Sequence, residues 1–421
     1  MSAKWRLAVL TIALAPALGA AQPPVAPPDP TGGPLPAWQE GELDIHHINT
    51  GRGEASFFIF PDGTNLLVDT SGKTVEAPPF SLPTRPDASR PPGEWVARYI
   101  RRLLPKRGQR IDYVLLSHFH GDHMGAVAEN SPHSRKGGYQ LSGITEIAEH
   151  LPIGTILDRG WPDYRYPAPL ESRTVRNYRA FLDWQIQHHG LRVERFAPGR
   201  REQITLLHRP ATYPQFEIRN LMVNGIVWTG EGSGTRALFP PLSSLDRSDY
   251  PDENRLSIAF RLSYGKFEYF TGGDLSSFND EALSPSETWK NVETPVARAS
   301  GPVDAMKANH HGSWDANSAA FLAALRPRVI VVSSRADGHP AVNTYKRMTS
   351  QTTWRGPRDI FVTNVSPATF RTTYGVEGAA STQGHVVIRV DRGGATYRIF
   401  VLDDSDEATR VKAVFGPHAS Q

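Results

Sequence analysis

Residues 117–125 read Ser-His-Phe-His-Gly-Asp-His-Met-Gly, and they follow directly on the apolar run from Ile111 to Leu116. An apolar run of this length predicts a buried strand, and Gly121 permits a tight turn just beyond it. Three histidines and one aspartate therefore stand within six positions at the end of a strand. A histidine-rich surface loop is the alternative, but its place between a buried strand and a glycine turn argues against it. The stretch predicts a metal site.

The motif offers ligands for two ions. Imidazole and carboxylate are the groups that borderline divalent metals such as zinc prefer. Alternate side chains of a loop can turn to one side, so His118 and His120 are expected to share one ion. Asp122 and His123 can then reach a second ion nearby. Because the sequence contains no cysteine, every protein ligand must be His, Asp or Glu, and no disulfide can form.

The pattern His-x-His-x-Asp-His after a strand resembles the metallo-β-lactamase superfamily, and the preceding residues fit the same layout. Two strand-like segments, 55–60 and 65–69, flank Pro61-Asp62-Gly63-Thr64, which predicts a hairpin. The second segment ends at Asp69, where the resemblance implies an aspartate that supports the metal loop from behind.

Two further elements resemble those of the superfamily. A short apolar segment runs into Gly272-Gly273-Asp274, and the resemblance implies that this aspartate, Asp274, bridges the two metals. Residues 306–313 read Met-Lys-Ala-Asn-His-His-Gly-Ser and resemble the last histidine motif, so His311 is expected to complete the second site. His310 is either a ligand of the first ion or a donor to the substrate oxyanion. Neighbouring side chains of a strand point to opposite faces, so both can face the metals only if the chain turns at Gly312.

One branch of the superfamily fits the details best. The stretch Asn254-Arg255-Leu256-Ser257, the His-His-Gly-Ser run and the triplet Gly338-His339-Pro340 together resemble the soluble metallo-hydrolase domain of ComEC-type competence proteins and related phosphodiesterases. The chain departs from the wider superfamily because no Pro-Gly-His segment lies between His123 and Asp274 to supply a third imidazole for the first ion. Either His310 supplies it, or water and substrate fill the position.

The resemblance covers about residues 40–402 and implies an α/β fold, the four-layer αβ/βα metallo-β-lactamase sandwich. It also implies a dinuclear centre, with zinc as the default metal and manganese or iron compatible with the same ligands. A metal-bound hydroxide is the expected nucleophile. Asp122 would orient the attacking water, and His339 is a candidate for a substrate contact or for proton donation to the leaving group.

Three classes of function are compatible with these motifs. The first is hydrolysis of a phosphodiester, either a small molecule, a nucleic acid or an envelope phosphodiester, because two metals stabilise both the attacking and the leaving oxygen. The second is hydrolysis of a lactone or β-lactam, since the superfamily also cleaves cyclic esters and amides. The third is a non-catalytic exported binding protein, and the complete histidine motif argues against it.

A long segment between the motifs, around residues 160–251, is predicted to be an insertion that sets specificity. It is rich in aromatic residues. Trp161 and Tyr164 either stack on a base, choline or sugar of the substrate, or fill the core beneath the insertion.

The N-terminal residues carry the pattern of an export signal. Lys4 and Arg6 precede an apolar stretch and then small residues, which predicts a signal peptide over residues 1–21. The apolar stretch is too short to span a bilayer, so we expect no transmembrane anchor after cleavage and a periplasmic or secreted protein. A Pro-rich linker is predicted for residues 22–38 and one hydrolase domain for residues 39–421. The net charge of +3 gives only weak support for an anionic partner, and the sequence does not define the oligomeric state.

Periodicity predicts alternating helices and strands in a chain of 421 residues, of which 39% are hydrophobic, enough for one large core. Helices are predicted for residues 94–104, 173–189 and 319–325. Ser172 and Gly190 are expected to cap the second of these helices. One antiparallel layer is predicted for the last strands, at residues 359–363, 385–390 and 396–402.

Overall fold

The structure, a computed structural model, describes residues 1, 30–72, 79–106, 108–277 and 284–421. The predicted signal peptide lies outside the described residues except for Met1, and so does the predicted linker as far as residue 29. Residues 30–38 lie beside the C-terminal part of the chain, where the N–H group of Gly32 donates to the carbonyl oxygen of Val411 at 2.9 Å. None of the described helices has both the length and the apolar character needed to cross a membrane.

The described part of the chain contains strands and α-helices in alternation. The strands are β1 (Leu43–His47), β2 (Ser56–Ile59), β3 (Asn65–Val68), β4 (Ile111–Leu115), β5 (Ile153–Asp158), β6 (Arg192–Arg195), β7 (Phe216–Val223), β8 (Ile226–Trp228), β9 (Thr235–Ala237), β10 (Ala259–Tyr264), β11 (Phe267–Thr271), β12 (Ala305–Lys307), β13 (Val329–Val332), β14 (Asp359–Val362), β15 (His385–Val390), β16 (Thr396–Leu402) and β17 (Val411–Ala419). The helices are α1 (Pro92–Leu103), α2 (Gly121–Met124), α3 (Ile144–His150), α4 (Arg173–His189), α5 (Glu293–Ser300), α6 (Ala319–Leu325), α7 (Val342–Thr349) and α8 (Pro367–Thr372).

The strands form two mixed sheets with the same plan. The first sheet has the order β17-β16-β15-β1-β2-β3-β4-β5-β6, and the second has the order β14-β13-β12-β11-β10-β7-β8-β9. In each sheet one half is antiparallel and the other half is parallel. The parallel halves are β3 to β6 in the first sheet and β11 to β14 in the second.

Apolar side chains fill the spaces between four layers. One core lies between the two sheets and contains Phe58 and Phe260, whose ring centroids are 6.1 Å apart. A second core lies between the first sheet and α1, α3 and α4, with Phe181 at its centre. A third lies between the second sheet and α5, α6 and α7, with Phe321 buried in it. Each such buried ring contributes about 1.5–3 kcal/mol. The predicted α/β fold class, a four-layer αβ/βα sandwich, is confirmed.

Local sequence signals explain where α4 begins and ends. The Oγ atom of Ser172 accepts a hydrogen bond from the N–H group of Val175 at 3.2 Å, which satisfies one free donor of the first turn. Gly190 follows the last turn with a φ of 64°, a left-handed conformation that glycine adopts without strain. Both predicted caps of this helix are confirmed.

One prediction about the last strands was wrong, and one strand was missed. β14 does not join β15 and β16 but pairs in parallel with β13 at the edge of the second sheet. β17 was not predicted, and it pairs with β16 at the edge of the first sheet. The wrong place of β14 has a physical reason, because a strand's own sequence indicates which of its faces is buried but not which strand lies beside it. β17 lacks a regular alternation of buried and exposed side chains, so periodicity does not indicate it.

Candidate metal centre

The site lies where five parallel strands end. β3 and β4 belong to the first sheet, and β11, β12 and β13 belong to the second. The loops that leave their carboxyl ends carry the residues of the site, as is usual for open α/β sheets. Asp69 follows β3, the histidine motif follows β4, and Asp274 follows β11. His310 and His311 follow β12.

The histidine motif turns sharply after β4. It forms the single helical turn α2, with His120 at the N-cap. A neighbouring loop fixes this turn through Gly53, where a Cβ atom would lie only 2.0 Å from the carbonyl oxygen of Asp122. The N–H group of Glu54 donates to the same oxygen at 2.9 Å. The close approach of this loop therefore depends on glycine, and it sets the direction of the side chains of the turn.

Asp69 binds the motif from behind. Its Oδ1 atom accepts from the N–H group of Ser117, and its Oδ2 atom accepts from the hydroxyl of Ser117 and from Nδ1 of His123, each at 2.7 Å. The Ser117 hydroxyl also lies 3.1 Å from Nδ1 of His118 and accepts from that ring. These bonds fix the proton of each imidazole on Nδ1 and leave Nε2 to act as a ligand.

Four buried side chains form the centre of the site: Asp122, His123, Asp274 and His311. One ligand atom from each lies within 4.8 Å of the others. The Oδ2 atom of Asp274 is 3.1 Å from Nε2 of His123 and 3.5 Å from Nε2 of His311. The Oδ2 atom of Asp122 is 3.4 Å from Nε2 of His311. The sequence named all four as ligands, and the structure places them in one group.

The donor set of this group fits a divalent metal. Nδ1 of His123 donates to Asp69, and Nδ1 of His311 donates to the carbonyl oxygen of Ser333 at 2.8 Å. In its neutral form each ring directs the lone pair of Nε2 into the group, where the two Nε2 atoms are 3.2 Å apart. Lone pairs and carboxylate oxygens at these separations repel one another unless a cation lies among them.

The charges of the group shift pKa values in directions that agree with this interpretation. Burial disfavours a charged Asp274, but His123 and His311 outweigh burial and hold the pKa of Asp274 well below its ordinary value. Burial likewise disfavours a charged His123, yet the carboxylates of Asp274 and Asp69 raise the pKa of His123 well above its ordinary value. The group thus attracts positive charge strongly.

Three further histidines lie next to this group. His118 is buried, and its Nε2 atom is 3.8 Å from Oδ2 of Asp274 and 3.1 Å from Nδ1 of His120. His120 is exposed. Nε2 of His310 is 3.9 Å from the same oxygen of Asp274. Histidines predicted for both ions thus approach one carboxylate, which is the arrangement that a bridging ligand needs.

His310 and His311 both face Asp274 because the backbone turns here. Their φ angles are 46° and 53°, and that of Gly312 is 74°. The turn expected at Gly312 thus includes both histidines, in a conformation that non-glycine residues rarely adopt. Nδ1 of His310 lies 2.8 Å from Oδ1 of Asp315, which accepts the ring proton and leaves Nε2 facing Asp274. This orientation favours the ligand role of His310 over the oxyanion role.

His339 lies beside the group. Its ring stacks on that of His311, with centroids 5.4 Å apart and an angle of 10° between the planes. It is half-buried, and its Nδ1 atom has no hydrogen-bond partner among the residues that the structure describes. Burial and the neighbouring His311 lower the pKa of His339 well below its ordinary value. A neutral ring suits a substrate contact better than proton donation to a leaving group.

Two charged residues of the site were not singled out from the sequence. Lys307 is buried in β12, where its Nζ atom donates to the carbonyl oxygen of Gly273 at 2.8 Å and lies 3.8 Å from Oδ1 of Asp274. Arg335 forms an ion pair with Asp122. A lysine inside the apolar stretch 305–308 was a usable signal, because a buried lysine needs a carboxylate partner. The position of Arg335 in a polar loop gave no such signal.

The stacking hypothesis is wrong for Tyr164. Its side chain is buried, its hydroxyl donates to Oδ2 of Asp158 at 2.7 Å, and its ring packs against Phe119 with centroids 5.7 Å apart. Trp161 is half-buried and packs edge-on against Tyr164. Tyr164 therefore fills the core beneath the histidine motif, which was the other interpretation of these aromatic residues.

The fold and the four-residue group define an αβ/βα sandwich with a candidate metal site at the ends of its parallel strands. Residues 49–175 match the family model of the metallo-beta-lactamase superfamily. The match contains the whole histidine motif, whereas Asp274 and His311 lie beyond it. No curated protein matches the chain. Residues 49–175 are therefore similar to the metallo-β-lactamase superfamily, whose members are mostly hydrolases that depend on divalent metals.

Proposed function

We propose that this protein is an exported phosphodiesterase that uses two zinc ions. The observation that carries the proposal is the pair of Nε2 atoms of His123 and His311, 3.2 Å apart beside two buried carboxylates. His118 and His120 lie next to the same bridging candidate, Asp274. Two sets of ligands that share one carboxylate support two ions.

The protein groups of the site have separate tasks in this proposal. Divalent cations held here supply Lewis acidity, which polarises a phosphoryl oxygen and lowers the pKa of water to about 7. The carboxylate of Asp122 orients the attacking water by accepting a hydrogen bond from it. Asp69 and the carbonyl oxygen of Ser333 hold the imidazoles of His123 and His311 rigidly, so that little reorganisation precedes the reaction. His339 contacts the substrate at the rim.

The preference for phosphodiesters is supported by two motifs that resemble ComEC-type domains and related phosphodiesterases. These motifs, residues 310–313 and 338–340, are separate in sequence but adjacent in the structure. The N–H group of Ala341 donates to the carbonyl oxygen of Gly312 at 2.9 Å, and His339 stacks on His311. They form one wall of the site. Export is supported by the pattern of the N-terminal residues.

The test measures metal content and two activities on one sample. Purified mature protein is analysed for bound metal and assayed with bis-p-nitrophenyl phosphate and with nitrocefin. The double variant His118→Ala/His120→Ala serves as the blank. We expect two metal ions per chain and phosphodiester turnover that the double variant loses.

Other outcomes point to the other classes of function. Nitrocefin turnover without phosphodiester turnover would replace the proposal with a lactone or β-lactam hydrolase. A chain that binds no metal under any loading condition would support an exported binding protein. Fractionation of the producing cells tests the export prediction separately, because a protein that stays in the cytoplasm contradicts it whatever its activity.

A further inference from the structure

Arg335 lies in the loop that leaves β13. Two other residues of this loop already belong to the site. The carbonyl oxygen of Ser333 fixes the ring of His311, and His339 stacks on the same ring. The backbone of Arg335 is itself held in place, because its carbonyl oxygen accepts from the N–H group of Leu82 at 2.9 Å. The side chain therefore starts from a fixed point beside the metal ligands.

The guanidinium of Arg335 reaches Asp122. Its Nε atom forms an ion pair with Oδ2 of that carboxylate, the oxygen that also faces His311. Its Nη1 atom donates to the carbonyl oxygen of Phe80 at 3.1 Å. Nε is thus used by Asp122 and one hydrogen of Nη1 by Phe80. Among the described residues, no group accepts a hydrogen bond from Nη2, so this atom and the second hydrogen of Nη1 are available to a ligand.

Exposure shows on which side of the site this cation lies. The Arg335 side chain is 17% exposed, whereas those of Asp122 and His311 are 6% and 0% exposed. The Arg335 side chain thus lies on the solvent side of these two predicted metal ligands. A purely structural counter-ion of Asp122 needs neither this exposure nor unused donors.

We propose that Arg335 is the substrate-binding residue that recognises the non-bridging phosphoryl oxygen of a phosphodiester at this site. Guanidinium offers a planar set of donors that matches an oxyanion and keeps its charge at any working pH. The inference rests on the proposed hydrolytic site, and it names the anionic group as the feature that the site selects. The same donors would recognise the carboxylate of a β-lactam, so the test separates the two anions.

The experiment compares Arg335→Ala and Arg335→Lys with the wild-type protein, all loaded with zinc. Binding of inorganic phosphate is measured by calorimetry, and metal content is measured on the same samples. We expect the dissociation constant for phosphate to rise by about tenfold to hundredfold in Arg335→Ala, the range of one charge-assisted hydrogen bond, with metal content unchanged. Lysine keeps the positive charge but lacks the planar set of guanidinium donors. The dissociation constant of Arg335→Lys for phosphate should therefore lie between those of the wild type and Arg335→Ala.

Kinetics give a second readout with substrates of different charge. The KM for bis-p-nitrophenyl phosphate, an anion, should rise in Arg335→Ala by a larger factor than the KM for neutral p-nitrophenyl acetate. Arg201→Ala is the matched control, because Arg201 is an exposed arginine that pairs with Glu217 outside the site. This variant should match the wild type in every measurement.

The results separate failure of the inference from failure of the proposed function. Wild-type phosphodiester turnover with the same phosphate affinity in Arg335→Ala would overturn the role of Arg335 and leave the proposed function standing. Loss of zinc from Arg335→Ala and Arg335→Lys alike would also overturn it, because Arg335 would then hold Asp122. If the wild type turns over only nitrocefin, and Arg335→Ala does so more weakly, the substrate is not a phosphodiester. Arg335 would then recognise a carboxylate, and the inference would be overturned.

Discussion

The Nε2 atoms of His123 and His311 lie 3.2 Å apart, although 188 residues separate the two histidines in the chain. One follows β4 in the first sheet and the other follows β12 in the second, so the pair joins the two sheets at the centre of the site. Both rings have their Nδ1 protons taken up, by Asp69 and by Ser333. The short separation then requires a positive charge at Nε2, either a proton or a metal ion. Proton and metal compete for the same place.

Metal binding should therefore release a proton and weaken as the pH falls. Burial opposes a charged His123, but Asp274 and Asp69 raise its pKa well above the ordinary value. Without metal the ring holds its extra proton at neutral pH, and zinc must displace it. Affinity for zinc should rise with pH for as long as the pH lies below this pKa, by up to about tenfold per pH unit for each proton released.

Calorimetric titration with zinc in two buffers of different ionisation enthalpy, at several pH values between about 6 and 8, counts the released protons. Asp69→Asn provides the comparison, because it removes one of the two carboxylates that raise the pKa of His123 and should reduce the proton release. An affinity that does not change with pH would show that His123 is neutral before metal binds.

Asp69 should be needed for metal affinity although it is not itself one of the predicted metal ligands. Its carboxylate accepts three hydrogen bonds from Ser117 and His123, each at 2.7 Å. An asparagine has one oxygen and cannot accept all three, so the imidazole loses its fixed orientation. We expect Asp69→Asn to weaken zinc binding by about tenfold to hundredfold, the usual cost of losing such a partner. Competition with a coloured chelator measures the affinity.

Asp62→Asn is the matched control for Asp69→Asn. Asp62 also accepts several hydrogen bonds, from the N–H groups of Thr64, His208 and Arg209, but it lies in the hairpin turn before β3. This variant should lower the free energy of unfolding while leaving zinc affinity unchanged. If both variants lost zinc to the same extent, general destabilisation rather than orientation of His123 would explain the effect.

The two ligand sets should lose metal separately. His120 is exposed and belongs to the set predicted for the first ion, so His120→Ala should leave one zinc ion per chain with little change in the melting temperature. Asp274 lies within 4 Å of histidines from both sets, so Asp274→Ala should reduce the content of both ions. Elemental analysis after dialysis at a fixed free zinc concentration measures these contents. Two ions retained in His120→Ala would exclude His120 as a ligand.

Features that depend on short stretches of sequence were predicted well. Helix α6 has the predicted bounds, and Ser172 and Gly190 cap α4, because capping and periodicity act over a few residues. Features that depend on distant partners were not predicted. The place of β14 in the second sheet and the contact between Arg335 and Asp122 arise only when remote segments meet.

The residues of the candidate site also fall into those that the local sequence predicts and those that it does not. The histidine motif is compact, so its ligand character could be predicted from residue types and spacing alone. Asp274 and His311 could be named only through resemblance to a known family, because nothing in their local sequence places them beside His123. The left-handed backbone of His310 was outside the reach of periodicity, which assumes regular strands and helices.

Removing the cation of Lys307 alone should lower the free energy of unfolding more than removing the charges of both Lys307 and its partner Glu54. Nζ of Lys307 lies 3.6 Å from Oε2 of Glu54 and 3.8 Å from Oδ1 of Asp274, and both carboxylates are buried. Lys307→Met removes the cation that pairs with the buried Glu54 and leaves Asp274 with its histidine partners alone, which should cost about 3–5 kcal/mol. Glu54→Gln removes the negative charge of Glu54, so the double variant Glu54→Gln/Lys307→Met should be more stable than Lys307→Met alone. Urea unfolding of all four proteins, with a chelator present, gives the coupling energy. If the losses of free energy of unfolding in the two single variants sum to the loss in the double variant, Lys307 acts through packing and its hydrogen bond to Gly273 rather than through charge.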